Sequence, residues 1–129
     1  MMARALACLS AALLTALVPS AASASAPIEY TDAAFSAAQA RGRTIIVEAY
    51  APWCLPCRIQ APIIDRLLTQ APFRDILVLR IGEKSPNTIW RRFRLNGFGT
   101  LVVFKGSREM ARGTPTNEAA VTDLLRRGL

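Results

Sequence analysis

Hydrophobic residues along the chain fall into runs whose spacing predicts alternating strands and helices. Nearly continuous apolar runs at residues 44–50, 76–81 and 100–104 predict strands that are covered on both faces. Apolar residues at helical spacing over residues 58–70 predict a helix, with a kink at Pro62. The remaining predicted elements are an edge strand at 28–30, a helix at 33–40 capped by Thr31 or Asp32, a short helix at 86–93, a turn at 105–108 leading into a strand at 109–112, and a last helix capped by Thr116.

The order of these elements predicts the architecture. It is β-α-β-α-β-α-β-β-α, and the early alternation of strands and helices is typical of a parallel sheet with helices on its faces. The late hairpin adds an antiparallel edge. A chain of 129 residues has the length of one domain, and no linker or repeat interrupts the pattern. The fold class is therefore α/β.

The first residues differ from the rest and are typical of a secretory signal peptide. Arg4 precedes an uncharged run from Ala5 to Val18, and a proline and several small residues follow. We predict a signal peptide at residues 1–24, cleaved near Ala24, and an exported, periplasmic domain at residues 25–129. The alternative is an uncleaved N-terminal membrane anchor, although the uncharged run is shorter than the ~20 residues that a span needs.

Composition narrows the possible chemistry. The chain carries 16 Lys+Arg against 9 Asp+Glu, for a net charge of +7, and it has no histidine. The lack of histidine excludes Ser-His-Asp catalysis, Cys-His catalysis and histidine-ligated metal sites. One of the three cysteines lies in the signal segment, and the other two are Cys54 and Cys57. We interpret the basic cluster of Arg91, Arg92 and Arg94 as a solvated face, and we expect no nucleic-acid partner.

The candidate chemistry lies in residues 51–58, between a buried strand and a helix. In an α/β sheet this junction is at the carboxyl end of a strand, where functional sites gather. Two cysteines at a helix start can close a disulfide within one turn, and the helix N-terminus favours the thiolate of the first one. We predict that Cys54 attacks and Cys57 resolves, with no metal and no cofactor besides their disulfide. The alternatives are a zinc site formed by dimerisation, a purely structural disulfide and two buried free thiols.

The same segment resembles the active site of the thioredoxin family, which has the pattern W-C-x-P-C after a strand. The resemblance continues in the strand at 45–50, in Pro62, in residues 97–106 and in Gly113 with the final helix. It implies a thioredoxin-like fold, in which a central mixed sheet is flanked by helices on both faces. It also implies a thiol-disulfide oxidoreductase that acts on protein thiols and disulfides.

Glu48 is the only charged residue in the predicted strand at 44–50. Burial in such a strand raises the pKa of a carboxyl group. The thioredoxin family has a buried acid at the matching position that shuttles a proton with the resolving cysteine, so the resemblance makes Glu48 a third candidate catalytic residue. The alternative is an edge-facing or salt-bridged glutamate paired with Arg80, which stands where the family commonly has lysine.

Gly99 stands where the family usually has a cis-proline. A cis peptide bond before a non-proline residue costs ~2.5–4 kcal/mol, so we predict a trans Phe98–Gly99 bond. In the family, the backbone beside this position binds an incoming substrate as an added strand, and here we expect either an altered docking or a looser loop. Trp53 has an alternative interpretation, in which its side chain packs on the end of the sheet instead of contacting the substrate. The candidate substrate-binding residues are Trp53, Leu55, Pro56, Phe98, Gly99 and Thr100.

The resemblance also favours one direction of electron flow. The spacing between Cys57 and Gly99 is close to that of plain thioredoxins, and Pro56 before the second cysteine resembles the reducing members. We therefore predict an exported, monomeric oxidoreductase that reduces protein disulfides and is itself reduced by a membrane-borne dithiol donor. The alternatives are a disulfide oxidase or isomerase, and a non-catalytic binding module with the same fold.

Overall fold

The computed structural model describes residues 26–129, so the predicted signal peptide at residues 1–24 lies outside the described residues. The described chain has nine elements in the predicted order: β1 (Ile28–Glu29), α1 (Asp32–Ala40), β2 (Thr44–Ala49), α2 (Leu55–Leu67), β3 (Leu77–Ile81), α3 (Asn87–Arg92), β4 (Leu101–Lys105), β5 (Arg108–Gly113) and α4 (Glu118–Arg126). Within residues 26–129, no helix combines the length and the apolarity that crossing a membrane requires.

The five strands form one mixed sheet in the order β1-β3-β2-β4-β5. Strand β3 runs parallel to both β1 and β2, as the early alternation predicts. Strand β4 is antiparallel to β2 as well as to β5. The antiparallel part of the sheet therefore includes the β2–β4 pair in addition to the predicted β4–β5 hairpin. All six residues of β2 are buried because this strand lies at the centre of the sheet with helices on both faces.

Side chains of β2 alternate between two hydrophobic layers. Ile46 packs in the layer with α2 and α4, where Leu125 is one of the fully buried side chains. Ile45 and Val47 pack in the opposite layer, against Phe35 of α1 and the residues around α3. This alternation follows from the period of two along a strand. Helices on both faces of a central mixed sheet confirm the predicted fold class.

All four helix starts differ from the predicted ones, by one to three residues. Helix α2 begins at Leu55 rather than at residue 58, because its first turn holds the cysteine motif and has no apolar periodicity to reveal it. Helix α4 is capped by Asn117 rather than by Thr116. The Asn117 side chain accepts a hydrogen bond from the backbone amide three residues further on, at 2.9 Å, which satisfies one of the free donors of the first turn.

Candidate active site

Cys54 and Cys57 form a disulfide at the junction of β2 and α2, with their Cα atoms 5.3 Å apart. Cys54 is the N-cap residue of α2, and its sulfur accepts a hydrogen bond from the Cys57 amide at 3.3 Å. Cys54 keeps 4% of its surface exposed, whereas Cys57 is fully buried. The free N–H groups and the dipole at this end of the helix stabilise negative charge on the Cys54 sulfur. The arrangement suits an attacking first sulfur and a shielded second one.

The Ala49 carbonyl oxygen contacts both the disulfide and the loop that contains Gly99. It lies 3.5 Å from the Cys57 sulfur, so it is an acceptor for the Cys57 thiol once the disulfide is reduced. The same oxygen accepts a hydrogen bond from the Gly99 amide at 2.7 Å. The end of β2, the first turn of α2 and the loop before β4 therefore meet at this one backbone group.

Glu48 precedes that carbonyl in β2 and is completely buried. Its Oε2 atom accepts a hydrogen bond from Arg80 Nε at 2.8 Å, and its buried Oε1 atom has no hydrogen-bond partner in the described part of the chain. Burial raises the pKa of Glu48 above its ordinary value of 4.5, while the Arg80 guanidinium opposes the rise and the charge of Asp65 adds to it. The salt bridge with Arg80, which was the alternative to a proton-shuttle role, is present, and the edge-facing alternative is wrong because β2 is the central strand. The shuttle role of Glu48 stays a prediction.

Arg80 links buried Glu48 to the surface. The two residues are neighbours in the register of β2 and β3, and the Arg80 guanidinium lies over the ring of Tyr50, 3.8 Å from its centroid. Both Arg80 and Tyr50 line a groove of about 300 Å³ at the carboxyl ends of the parallel strands. The arginine side chain is 28% exposed, so the charge that faces Glu48 remains partly hydrated.

Gly99 adopts a conformation that only glycine adopts readily. Its φ is +89°, and the Phe98–Gly99 bond is trans, as predicted. A Cβ atom on this residue would lie 2.8 Å from Pro56 Cβ and 3.2 Å from Thr114 Cγ2. The loop therefore packs its bare backbone directly on the first turn of α2. Close packing and the bond to Ala49 indicate an altered loop rather than a loose one.

Aromatic and apolar side chains surround the disulfide. Phe98 packs on the cysteines and makes edge-to-face contacts with Trp53 and Trp90, each with ring centroids 5.0 Å apart. Trp53 is nevertheless 61% exposed, and its indole N–H donates to Glu83 at 2.6 Å. Leu55 is 65% exposed. These side chains form an apolar surface beside Cys54 rather than part of the core.

The backbone on either side of Gly99 completes this surface. Thr100 is half-buried, and its hydroxyl donates to the Gly97 carbonyl at 2.9 Å, so its side chain supports the loop. The N–H and C=O groups of Phe98 make no hydrogen bond within residues 26–129. All nine residues that the sequence analysis selects thus lie in one region around the disulfide.

The thioredoxin family model matches residues 26–126, which is nearly the whole described chain. The chain belongs to the thioredoxin family. Thioredoxins are thiol-disulfide oxidoreductases that act on protein disulfides, and this chain has the Cys-x-x-Cys disulfide that their chemistry uses. The family needs no cofactor beyond that disulfide, and residues 26–129 contain no cluster of His, Cys, Asp and Glu side chains that could hold a metal ion.

Known thioredoxins resemble the chain in sequence and in structure. Thioredoxin-1 of Saccharomyces cerevisiae is 31% identical over 91 residues, which are 70% of this chain and 86% of the yeast protein. Thioredoxin of Mycobacterium tuberculosis H37Rv is 30% identical over 68% of this chain and 76% of its own length. The crystal structure of Trxlp from Edwardsiella tarda EIB202 superposes with a TM-score of 0.72 at 31% identity, covering 78% of this chain and 98% of that one.

Gln60 is a site residue that our sequence analysis missed. It lies in α2, is fully buried, and donates from Nε2 to the carbonyl oxygens of Gly99 at 2.8 Å and Pro115 at 2.9 Å. The sequence does contain a signal for it. Gln60 precedes Ile63 and Ile64 by three and four residues, so it is a polar residue on the apolar stripe of the helix.

The basic cluster lies away from this chemistry. Arg92 pairs with Asp32, and Arg94 pairs with Glu109 at 3.2 Å, while Arg91 is exposed. Two of the three positive charges are thus offset by carboxylates of the same chain. The pairing agrees with a solvated face.

Proposed function

We propose that this thioredoxin is an exported reductase of protein disulfides, with Cys54 as the nucleophile and Cys57 as the resolving residue. The observation that carries the proposal is the asymmetry of the disulfide. The Cys54 sulfur caps α2 at the edge of the apolar surface, whereas the Cys57 sulfur is buried beside the Ala49 carbonyl. The more exposed sulfur, stabilised as a thiolate by the helix N-terminus, attacks, and the fully buried thiol acts in the second step.

The proposed reaction is two thiol-disulfide exchanges. In the first, the Cys54 thiolate attacks one sulfur of a partner disulfide. A mixed disulfide forms, and the other partner sulfur leaves as a thiolate that takes up a proton. In the second, the Cys57 thiolate attacks the Cys54 sulfur. The Cys54–Cys57 bond forms, the second partner thiolate leaves, and two electrons have moved from the protein to its partner.

Glu48 is the proposed acceptor for the Cys57 proton. It is buried in β2 immediately before Ala49, whose carbonyl oxygen lies against the Cys57 sulfur. Its Oε1 atom has no hydrogen-bond partner within the described residues and is therefore free to take a proton. Because burial raises the pKa of Glu48, the carboxylate is a stronger base than an exposed glutamate. The Arg80 guanidinium opposes that rise in pKa, so it favours the ionised carboxylate that accepts the proton.

The proposed docking surface comprises Trp53, Leu55, Pro56 and residues 98–100. Exposed apolar side chains beside the nucleophile match the apolar segments of a partially unfolded protein. The unpaired N–H and C=O groups of Phe98 can bind an extended partner segment as an added strand. Both features favour a protein substrate over a small disulfide.

The proposals that the protein is exported and that it works as a reductase are based on the sequence. We propose that residues 1–24 are removed near Ala24, that the domain acts as a monomer in the periplasm, and that a membrane-borne dithiol donor reduces it. Mass spectrometry of the protein from periplasmic extracts should find Ser25 as the first residue. A chain that stays in the membrane fraction with its N-terminal segment intact would instead indicate an anchor.

The first test of the catalytic assignment is to trap the mixed disulfide. Cys57→Ser should accumulate covalent complexes with partner proteins in intact cells, because the resolving thiol is gone. Cys54→Ser is the matched control and should accumulate none, because the nucleophile is gone. Equal capture by both variants, or capture by neither, would contradict the assignment and favour a binding module.

The reduction potential of the Cys54–Cys57 pair tests the direction. A reduction potential of about −270 mV supports a reductase, and one of about −180 to −120 mV supports the alternative of an oxidase or isomerase. The pair can be equilibrated with defined thiol and disulfide buffers and followed by alkylation of the free thiols. A disulfide that does not form and open reversibly would contradict both enzymatic alternatives.

A further inference from the structure

A buried glutamine holds the backbone of the Gly99 loop. Gln60 donates one amide hydrogen to the Gly99 carbonyl at 2.8 Å and the other to the Pro115 carbonyl at 2.9 Å. The orientation of the amide follows from the chemistry, because only its NH₂ group can donate to two carbonyl oxygens. The side chain therefore connects α2, which carries both cysteines, to the loop before β4 and to the segment before α4.

These bonds restrain the loop at Gly99, where the backbone would otherwise be flexible. Glycine has wide freedom in φ and ψ, whereas a proline ring would restrict φ by itself. Each peptide group that flanks Gly99 has an anchor outside the loop. The Gly99 N–H donates to the Ala49 carbonyl at 2.7 Å, and the Gly99 C=O accepts from Gln60. Both anchors lie on elements that form the disulfide site.

Fixing Gly99 also fixes the direction of the Phe98 carbonyl. In a trans peptide the C=O and N–H groups point in opposite directions. Because the Gly99 N–H points at Ala49, the Phe98 C=O points away from β2. Gln60 holds the following peptide group, between Gly99 and Thr100, through the Gly99 carbonyl. Because both peptide groups are held, the φ and ψ angles of Gly99 cannot rotate freely, and the Phe98 carbonyl keeps its direction.

We propose that Gln60 is a positioning residue for substrate recognition, which holds the trans Gly99 loop in the conformation that receives the backbone of a partner protein. It takes over the restraint that a proline ring would supply at residue 99. This role rests on the proposed docking of substrates at residues 98–100. It predicts that Gln60 affects the reaction with protein disulfides and not the reactivity of Cys54 itself.

The test compares two substrates with the reduced full-length domain. Gln60→Met keeps the length and apolar volume of the side chain and removes both donors. Its second-order rate constant with insulin should fall about tenfold, the effect of losing about one net hydrogen bond between the displaced loop backbone and the partner. Its rate constant with bis(2-hydroxyethyl) disulfide, which needs no backbone docking, should not change. Stopped-flow tryptophan fluorescence follows both reactions.

Gln39→Met is the matched control. Gln39 also donates from Nε2 to a backbone carbonyl, that of Gly106 at 3.4 Å, and it lies in α1, outside the loop and the disulfide segment. This variant should leave both rate constants at the wild-type value. Equal losses with insulin and with the small disulfide in Gln60→Met would overturn the proposal, because they would place the effect on the disulfide rather than on docking. Unchanged rates would overturn it as well.

A measurement on the unmodified protein covers the case in which Gln60→Met does not fold. Hydrogen exchange followed by NMR should show the Gln60 side-chain amide protons to be strongly protected relative to those of Gln39, and equal exchange would overturn the proposal. If the wild type reduces neither substrate, the proposed reductase function fails. The exchange measurement still decides in that case whether Gln60 holds the loop.

Discussion

Replacing Gly99 with alanine tests the conformation of the loop most directly. The backbone at this residue has φ +89°, where an L-residue is strained by about 1–3 kcal/mol. The new Cβ atom would lie 2.8 Å from Pro56 Cβ and 3.2 Å from Thr114 Cγ2, and such crowding costs about 1–3 kcal/mol. Alanine also lowers the entropy of the unfolded chain, which returns about 0.4–1 kcal/mol. We expect Gly99→Ala to lower the free energy of unfolding by about 1–6 kcal/mol.

Urea unfolding of the oxidised protein, followed by tryptophan fluorescence, measures this loss. Gly97→Ala is the matched control, because a Cβ atom on Gly97 would meet nothing within 4 Å. It should stay within about 0.5 kcal/mol of the wild type. Thr114→Ser in the Gly99→Ala background removes the Cγ2 contact and should recover part of the loss, which separates crowding from backbone strain. Equal stability of Gly99→Ala and Gly97→Ala would refute the assigned loop conformation.

Two further substitutions test the buried acid and the last helix. Burial raises the pKa of Glu48, so the native state holds its proton to higher pH than the unfolded chain does, and this stability is lost as pH rises through the folded pKa. The wild type should therefore lose stability relative to Glu48→Gln as pH increases above 4.5, and a pH-independent difference in urea unfolding would contradict the shift. Asn117→Ala should cost about 1 kcal/mol as the loss of a helix cap, whereas Thr116→Ala should cost less than about 0.5 kcal/mol, and equal costs by thermal unfolding would contradict the assigned cap.

The candidate catalytic residues are visible in the sequence because each departs from a local pattern. Cys54 and Cys57 stand at a strand-to-helix junction, and Glu48 is a charge within an apolar run. Burial of that run follows from its composition, so the sequence alone predicts the direction of the Glu48 pKa shift. The ion pair with Arg80 could be proposed only as an alternative, because it depends on which strands are neighbours.

The hydrogen-bond partners of Gln60 could not be predicted from the sequence pattern. Its partners are the carbonyl groups of Gly99 and Pro115, which lie 39 and 55 residues further along the chain. A local pattern marks Gln60 as a polar residue on an apolar stripe, but it does not say which backbone groups need its donors. The close packing of Gly99 against Pro56 and Thr114 could not be predicted from the sequence either, because it brings together three separate segments of the chain.

The sequence by itself determined the order of the nine elements, the α/β class and the identity of the reactive pair. These properties depend on the spacing of apolar side chains and on the chemistry of a short motif, and both are local. Only the tertiary structure decided that β4 runs antiparallel to β2, and that the backbone of Gly99 is held between Ala49 and Gln60. Packing decides those features, because the free energy of each contact depends on groups that folding brings together from distant parts of the chain.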